Sequence, residues 1–93
     1  MAIDAKVWVV TGASRGIGAA IASVAAEAGH SVAMVARGES VLSGAEALGE
    51  LAKGFQCDVA DSEAVNATVD QIIEHYGRID VLVNNAGVHR GGK

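Results

Sequence analysis

A glycine-rich segment between an apolar run and a helical pattern carries the clearest chemical signal in the sequence. Residues 11–18 read TGASRGIG. At such a junction, the first amides of a helix and the positive end of its dipole favour an anion. Gly12 would permit the tight turn, Gly16 would let the backbone approach a phosphate, and Gly18 would let the helix pack closely on a strand. The segment therefore predicts a phosphate-binding turn.

The spacing of these glycines limits what the segment can be. It is G-x-x-x-G-x-G rather than the G-x-G-x-x-G of the dinucleotide fingerprint, and no Gly-Lys-Ser/Thr follows as in a nucleoside-triphosphate loop. By itself, the segment also fits a turn that serves only helix–strand packing. The choice between these interpretations depends on the elements around it and on other polar groups.

Apolar patterning predicts four strands that alternate with three helices. The strands are expected at 7–10, 31–36, 55–59 and 79–83, and the helices at 17–28, 40 to about 51, and 61 or 62 to 76. Repeated strand–helix–strand units predict parallel strands with right-handed crossovers. We therefore expect an α/β fold: a Rossmann-like three-layer sandwich with four parallel strands in the order 3-2-1-4. The first two helices should cover one face and the third helix the other, with residues 1–93 as one partial dinucleotide-binding domain.

Composition excludes several classes of protein. The chain has 93 residues with 7 basic and 11 acidic side chains, a net charge of −4, which argues against nucleic-acid or membrane-surface partners. No apolar run approaches the length of a membrane span. One cysteine cannot form an internal disulfide, so a cytoplasmic location is expected. The fourth strand would leave an apolar edge open, which predicts self-association through that edge.

Two further motifs follow predicted strands in the same way as the glycine segment. Asp58-Val59 ends the third strand, and Asn84-Asn85-Ala86-Gly87 follows the fourth. Taken together and in this order, the three motifs resemble the short-chain dehydrogenase/reductase family, in its classical branch that includes 3-oxoacyl-carrier-protein reductases. The resemblance covers nearly the whole chain. It implies a nicotinamide dinucleotide cofactor and hydride transfer between that cofactor and a carbonyl or alcohol substrate in the complete enzyme.

The resemblance also implies a role for individual residues. Asp58 would accept a hydrogen bond from the adenine amino group, the Val59 backbone would read the ring edge, and Asn85 and Ala86 would lie against the adenosine ribose. Gly87 completes the turn that ties the central strands together. The residues implied to surround the cofactor phosphates are Gly12, Ser14, Arg15, Gly16, Ile17 and Gly18. Asp58 could instead only cap the following turn, and the asparagine pair could be only a turn.

The end of the second strand bears on the choice of cofactor. An acidic residue there would bind the ribose 2′-hydroxyl of NAD and repel a 2′-phosphate. This sequence has Ala36 followed by Arg37, and Arg15 could approach the same phosphate from the glycine turn. Two guanidinium groups suit a phosphate, so NADP is favoured over NAD. The alternative is that both arginines are solvated charges beside turns.

No catalytic residue and no metal ligand is assigned. The family's chemistry implies a tyrosine, a lysine four residues later, a serine and an asparagine, all beyond the fourth strand of the family pattern. Tyr76 is the only tyrosine, it has Asp80 at the +4 position, and its spacing places it on the core face of the third helix. Two functions remain: the NADP(H)-binding portion of an oxidoreductase, or a free-standing dinucleotide-binding module without catalysis.

Overall fold

A computed structural model describes residues 4–85. The elements are β1 (Val7–Thr11), α1 (Gly16–Glu27), β2 (Ser31–Ala36), α2 (Ser40–Leu48), β3 (Ala52–Gln56), α3 (Ser62–Tyr76) and β4 (Val81–Val83). The strands form one parallel sheet in the order β3-β2-β1-β4. The predicted α/β class and strand order are therefore confirmed.

Two apolar clusters separate the three layers. One cluster joins β1 and β2 to α1 and α2, and its fully buried side chains include Val10, Val32 and Val41. The other lies on the opposite face of the sheet, where Ile72 of α3 packs among Val9, Ala33, Val35, Phe55 and Cys57. The first two helices thus share one face and the third covers the other, as the alternation of elements predicted.

Local signals fix both ends of α3. The Asp61 carboxylate accepts hydrogen bonds from the amides of Glu63 and Ala64 at 3.1 and 3.2 Å, which satisfies two of the otherwise unpaired first amides of the helix. At the other end Gly77 has a φ of 89° and its amide bonds to Ile73 O, a left-handed cap. The boundaries predicted from Asp61 or Ser62 to Gly77 are confirmed.

The third strand lies three residues earlier than predicted. It spans Ala52–Gln56 rather than 55–59, because α2 ends sooner, at Gly49 with a φ of 101°, and β2 pairs with Ala52, Lys53 and Gly54. A Cβ on Gly54 would lie 2.6 Å from Val41 O, so glycine is what lets β3 approach α2. An apolar-run criterion missed this strand start because it contains a lysine and a glycine.

The apolar spacing of the third helix predicts a buried face of Val65, Val69, Ile72, Ile73 and Tyr76, and both this face and the start of β4 differ from expectation. Val69 and Ile73 are 40% and 42% exposed, whereas Thr68 is buried beside the expected Ile72. The helix is therefore rotated toward Thr68 relative to the predicted face. β4 begins at Val81 rather than at residue 79. Across residues 4–85, no helix is both long enough and apolar enough to cross a membrane.

Candidate cofactor site

An open hollow of about 680 Å³ lies at the carboxyl edge of the sheet. Three segments line it, each of which follows a strand: the glycine turn after β1, the loop between β2 and α2, and the turn after β3. The lining residues are Gly12, Ser14, Arg15, Ala36, Arg37, Gly38, Ser40, Cys57, Asp58, Val59 and Ala60. Parallel topology explains the arrangement, since it brings the carboxyl ends of all strands to one edge.

Glycine is required by the conformation of the turn after β1. Gly12 and Gly16 have φ values of 63° and 65°, a region that other residues rarely adopt. Gly18 is required for a different reason, because a Cβ there would lie 2.2 Å from Gly12 O and 2.9 Å from Asn85 Nδ2. The turn and the first helical residues are thus packed against each other in a way that only glycine permits.

Within residues 4–85, no side chain caps the first amides of α1. Arg15 occupies the cap position in an extended conformation, makes no capping hydrogen bond, and no acidic residue lies in the first turn of the helix. This contrasts with α3, which Asp61 caps. An uncapped helix start beside a hollow leaves amide hydrogens and the positive dipole end available to an anion.

Hydrogen bonds tie the glycine turn to the end of β4. The amide of Asn85 donates to Thr11 Oγ1 at 2.9 Å, and Asn85 Nδ2 donates to Gly12 O at 3.3 Å. The Thr11 hydroxyl in turn lies 3.2 Å from Asn84 Oδ1. These contacts hold the asparagine turn against the glycine turn, the structural role expected for Asn84 and Asn85. Thr11 received no role from the sequence, although it is the first residue of the glycine motif.

Asp58 combines a turn contact with a carboxylate oxygen that has no partner. Its Oδ1 accepts a hydrogen bond from the amide of Ala60 at 3.0 Å, so the carboxylate does cap the following turn. Among residues 4–85, nothing donates to its Oδ2, and the residue lines the hollow. Capping the turn therefore uses only one carboxylate oxygen of Asp58, and Oδ2 can accept a hydrogen bond from a ligand.

Arg15 and Arg37 line the hollow, and neither forms an ion pair within residues 4–85. Both are exposed, and the two ion pairs found in residues 4–85 are Lys6–Asp4 and Arg78–Asp80. Ala36, which precedes Arg37, is 7% exposed and brings no carboxylate to the end of β2. The hollow is thus lined by two guanidinium groups, which are suited to binding an anion.

Other predicted site residues take different positions. Val59 lines the hollow and is 43% exposed. Ile17 is 68% exposed and lies in an apolar groove beside α1, with Trp8 and Val24, rather than in the hollow. Ala86 and Gly87 lie outside the described residues. Gly38, Ser40 and Ala60 line the hollow but were not predicted. The one feature of the sequence that could have indicated them is their position shortly after β2 and β3.

Tyr76 lies away from this site. Its hydroxyl donates to Val32 O at 3.3 Å, near the amino end of β2, and its ring packs against the apolar cluster under α3. Burial raises the pKa of this phenol above its ordinary value. The tyrosine is therefore a packing residue at the opposite end of the sheet, as its helical spacing predicted.

Comparison with known proteins identifies the class to which this fold and site belong. The family model described as short chain dehydrogenase matches residues 6–93, and the chain belongs to that family. It is 47% identical to D-threitol dehydrogenase of Mycolicibacterium smegmatis over 95% of this chain and 35% of that protein. It is 45% identical to a 3-oxoacyl-(acyl-carrier-protein) reductase of Vibrio harveyi over 97% of this chain and 37% of that protein.

A solved structure shows the same backbone arrangement. A short-chain dehydrogenase from Streptomyces avermitilis superposes with a TM-score of 0.84 and 44% identity, covering 94% of this chain and 32% of that one. The chain therefore spans about a third of the length of the relatives that it matches.

Proposed function

We propose that this chain is the NADP(H)-binding portion of a short-chain dehydrogenase/reductase. The complete enzyme would transfer a hydride between the nicotinamide cofactor and a carbonyl or alcohol substrate. One observation carries the proposal: the uncapped start of α1 and two arginines that form no ion pair within residues 4–85 border the same hollow at the carboxyl edge of the sheet. Residues 1–93 would form one dinucleotide-binding domain that is partial relative to the whole enzyme.

We propose a role toward one part of the dinucleotide for each donor and acceptor around the hollow. The glycine turn, with Ser14, would hold the pyrophosphate at the start of α1. Asp58 Oδ2 would accept from the adenine amino group, beside the exposed Val59. Asn85 would position the adenosine ribose through its contact with the turn, with Ala86 and Gly87 following it. The bound cofactor would supply the hydride, while these residues bind and orient it.

Arg37 and Arg15 are proposed to select NADP over NAD. Each guanidinium can give paired, charge-assisted hydrogen bonds to a 2′-phosphate. The buried Ala36 offers no carboxylate to hold the 2′-hydroxyl of NAD or to repel that phosphate. The 3-oxoacyl-(acyl-carrier-protein) reductases and D-threitol dehydrogenase act on different substrates by name, so the proposal stops at carbonyl or alcohol as the substrate class.

Calorimetric titration with NADPH and NADH tests the cofactor proposal. We expect tighter binding of NADPH, and Arg37→Asp should reverse the preference because it places a negative charge beside the 2′-phosphate. Lys53→Asp makes the same change of charge on exposed β3, away from the hollow, and should leave the preference intact. Equal affinity for both cofactors before and after Arg37→Asp would contradict the proposal.

A free-standing dinucleotide-binding module without catalysis is the alternative function. Both proposals place the same cofactor in the hollow, and both expect no hydride transfer from this chain by itself, since no catalytic residue is assigned in it. The length of the natural gene product distinguishes them: a product about three times as long, like the relatives, would favour the oxidoreductase.

We further propose that a second copy of this chain pairs with the open edge of β4. In the described part of the sheet β4 is an end strand, and its Leu82 is 64% exposed. Antiparallel pairing centred on Leu82 would oppose Asp80 with Asn84, so it would bring no like charges together. β3, the other end strand, differs because Lys53 lies over the Phe55 ring there, 5.7 Å from its centroid.

Light scattering of the purified chain tests this association. Leu82→Lys should convert an associated species to a monomer, because a lysine in the middle of an edge strand opposes pairing. Leu42→Lys changes an equally apolar, 44% exposed residue on α2 and should leave the association unchanged. A wild-type chain that is a stable monomer would overturn the proposal.

A further inference from the structure

At the start of β1, an imidazole nitrogen of His30 accepts a hydrogen bond that a strand carbonyl would otherwise accept. His30 follows Gly29, which has a φ of 96°, in the short connection between α1 and β2. The backbone amide of Lys6 donates to His30 Nδ1 at 2.9 Å in a partly buried contact, and Ser31 N donates to Lys6 O at 3.0 Å. The side chain of His30 therefore extends the pairing of β1 with β2 by one residue.

This contact requires one protonation state of His30. Because Nδ1 accepts a hydrogen bond, it carries no hydrogen, and the neutral ring holds its proton on Nε2. A second proton can add only at Nδ1. Both ring nitrogens are then donors, so the Lys6 amide would face a donor instead of an acceptor and the bond would be lost.

The side chains described around His30 are mostly apolar or already paired. Its ring lies 5.6 Å from the Trp8 ring, and α1 contributes only apolar side chains to the groove that His30 shares with Trp8. Lys6, already cationic, pairs with Asp4, while Arg78 pairs with Asp80 on the β4 side of β1. Glu27, at the end of α1, is exposed. Within residues 4–85 no carboxylate bonds to His30.

We propose that His30 is a pH-sensitive clasp on β1, closed when its imidazole is neutral and opened when a proton adds to Nδ1. Histidine is the side chain that ordinarily changes charge between about pH 5 and 8. The next amide of β1, that of Val7, is held by a carboxylate instead. Asp80 Oδ2 accepts from it at 2.8 Å, and hydrogen bonding lowers the pKa of that carboxyl. Protonation of His30 would thus release the Lys6 amide while the bond from Val7 to Asp80 remains. The clasp lies at the opposite end of the sheet from the cofactor site and is independent of it.

Hydrogen exchange of the Lys6 amide tests the clasp directly. After correction for intrinsic rates, its protection factor in the wild-type chain should fall roughly fivefold between pH 8 and pH 5, as loss of one hydrogen bond implies. His30→Asn supplies a side-chain oxygen near Nδ1 that does not titrate, so it should abolish this change. His75→Asn alters an exposed histidine in the last turn of α3 and should leave the change intact.

Two measurements on the wild-type chain keep the test decisive if His30→Asn fails to fold. Nitrogen chemical shifts of His30 at pH 8 should show the hydrogen on Nε2; a hydrogen on Nδ1 would overturn the proposal. Trp8 is the only tryptophan, so its emission should fall on acidification as the adjacent imidazole becomes cationic. Lys6 protection that is the same at both pH values would also overturn it.

Discussion

The two ends of the sheet differ in how completely their polar groups are satisfied. At the amino end, His30 holds Lys6, Asp80 holds Val7 and Arg78, and Tyr76 holds Val32. At the carboxyl end, within residues 4–85, Arg15 and Arg37 form no ion pair and no side chain caps α1. Polar groups that a protein buries are normally paired, whereas exposed ones are left to solvent or to a ligand. The unpaired groups therefore lie at the end where we propose that the cofactor binds, and the paired groups lie at the end that stabilises the sheet.

The difference between the two ends predicts two kinds of effect for substitutions. Changes at the carboxyl end should alter nucleotide binding, whereas changes at the amino end should alter stability without altering the affinity of the folded chain. The largest effect should come where the two requirements coincide, at a residue that shapes the binding turn and is also closely packed.

Gly18→Ala is that substitution. Its Cβ would lie 2.2 Å from Gly12 O and 2.8 Å from Gly12 C, both backbone atoms of the turn, so the turn or the helix must shift. We expect the free energy of unfolding to fall by roughly 3 kcal/mol from overpacking, together with loss of nucleotide binding. Urea denaturation and calorimetric titration measure the two effects.

Gly44→Ala is the matched control for that prediction. Gly44 lies inside α2, and a Cβ there would meet only the end of Met34 at 3.9 Å, an ordinary contact. The same substitution should raise stability by about 0.8 kcal/mol, because alanine is the better helix former, and should leave nucleotide binding unchanged. Similar effects of the two substitutions would show that close packing at Gly18 has no special role.

Sequence patterning predicted the fold well because its signals are local and strong. Continuous apolar runs located β1 and β2, and Asp61 and Gly77 marked the ends of α3. The start of β3 was missed because it depends on a tertiary contact, the close approach of Gly54 to Val41 O. The burial of Thr68 rather than Val69 and Ile73 depends on how α3 docks on the sheet, which is also a tertiary property.

Part of the candidate site was accessible from motifs and part was not. The predicted strand order alone places the glycine turn, Asp58 and Arg37 at one edge of the sheet. Ser40 and Gly38 could not, because they carry no motif and line the hollow only through the path of the loop after β2. The hydrogen bonds of Asp80 at the amino end were not predicted either, because its bond to Val7 joins residues that are 73 positions apart in the sequence.

Asp80→Asn should have an intermediate effect and a defined pH dependence. The Asp80 pKa is lowered, chiefly by the Val7 amide and then by Arg78, so its ionised form stabilises the fold. That stabilisation is fully present above the carboxyl's ordinary pKa and is lost as the pH falls through the lowered value. The substitution should therefore reduce stability at pH 7 by less than Gly18→Ala and flatten the acid side of the stability curve. Denaturation between pH 7 and pH 2 measures this; equal acid sensitivity in both proteins would contradict it.

The smallest destabilisation is expected for Tyr76→Phe, which also tests the separation of the two ends most directly. The change removes the hydroxyl that donates to Val32 O while keeping the ring packed, so stability at neutral pH should fall by about 1 kcal/mol. Because burial raises the Tyr76 pKa, the wild-type fold has this contribution in full below the phenol's ordinary pKa and loses it as the pH rises through the raised value. The phenylalanine variant should lack that alkaline loss. Its affinity for NADPH should equal that of the wild-type chain, since the residue lies at the amino end of the sheet. Weakened NADPH binding by the folded variant, measured by calorimetry, would show that the only tyrosine acts on the cofactor site after all.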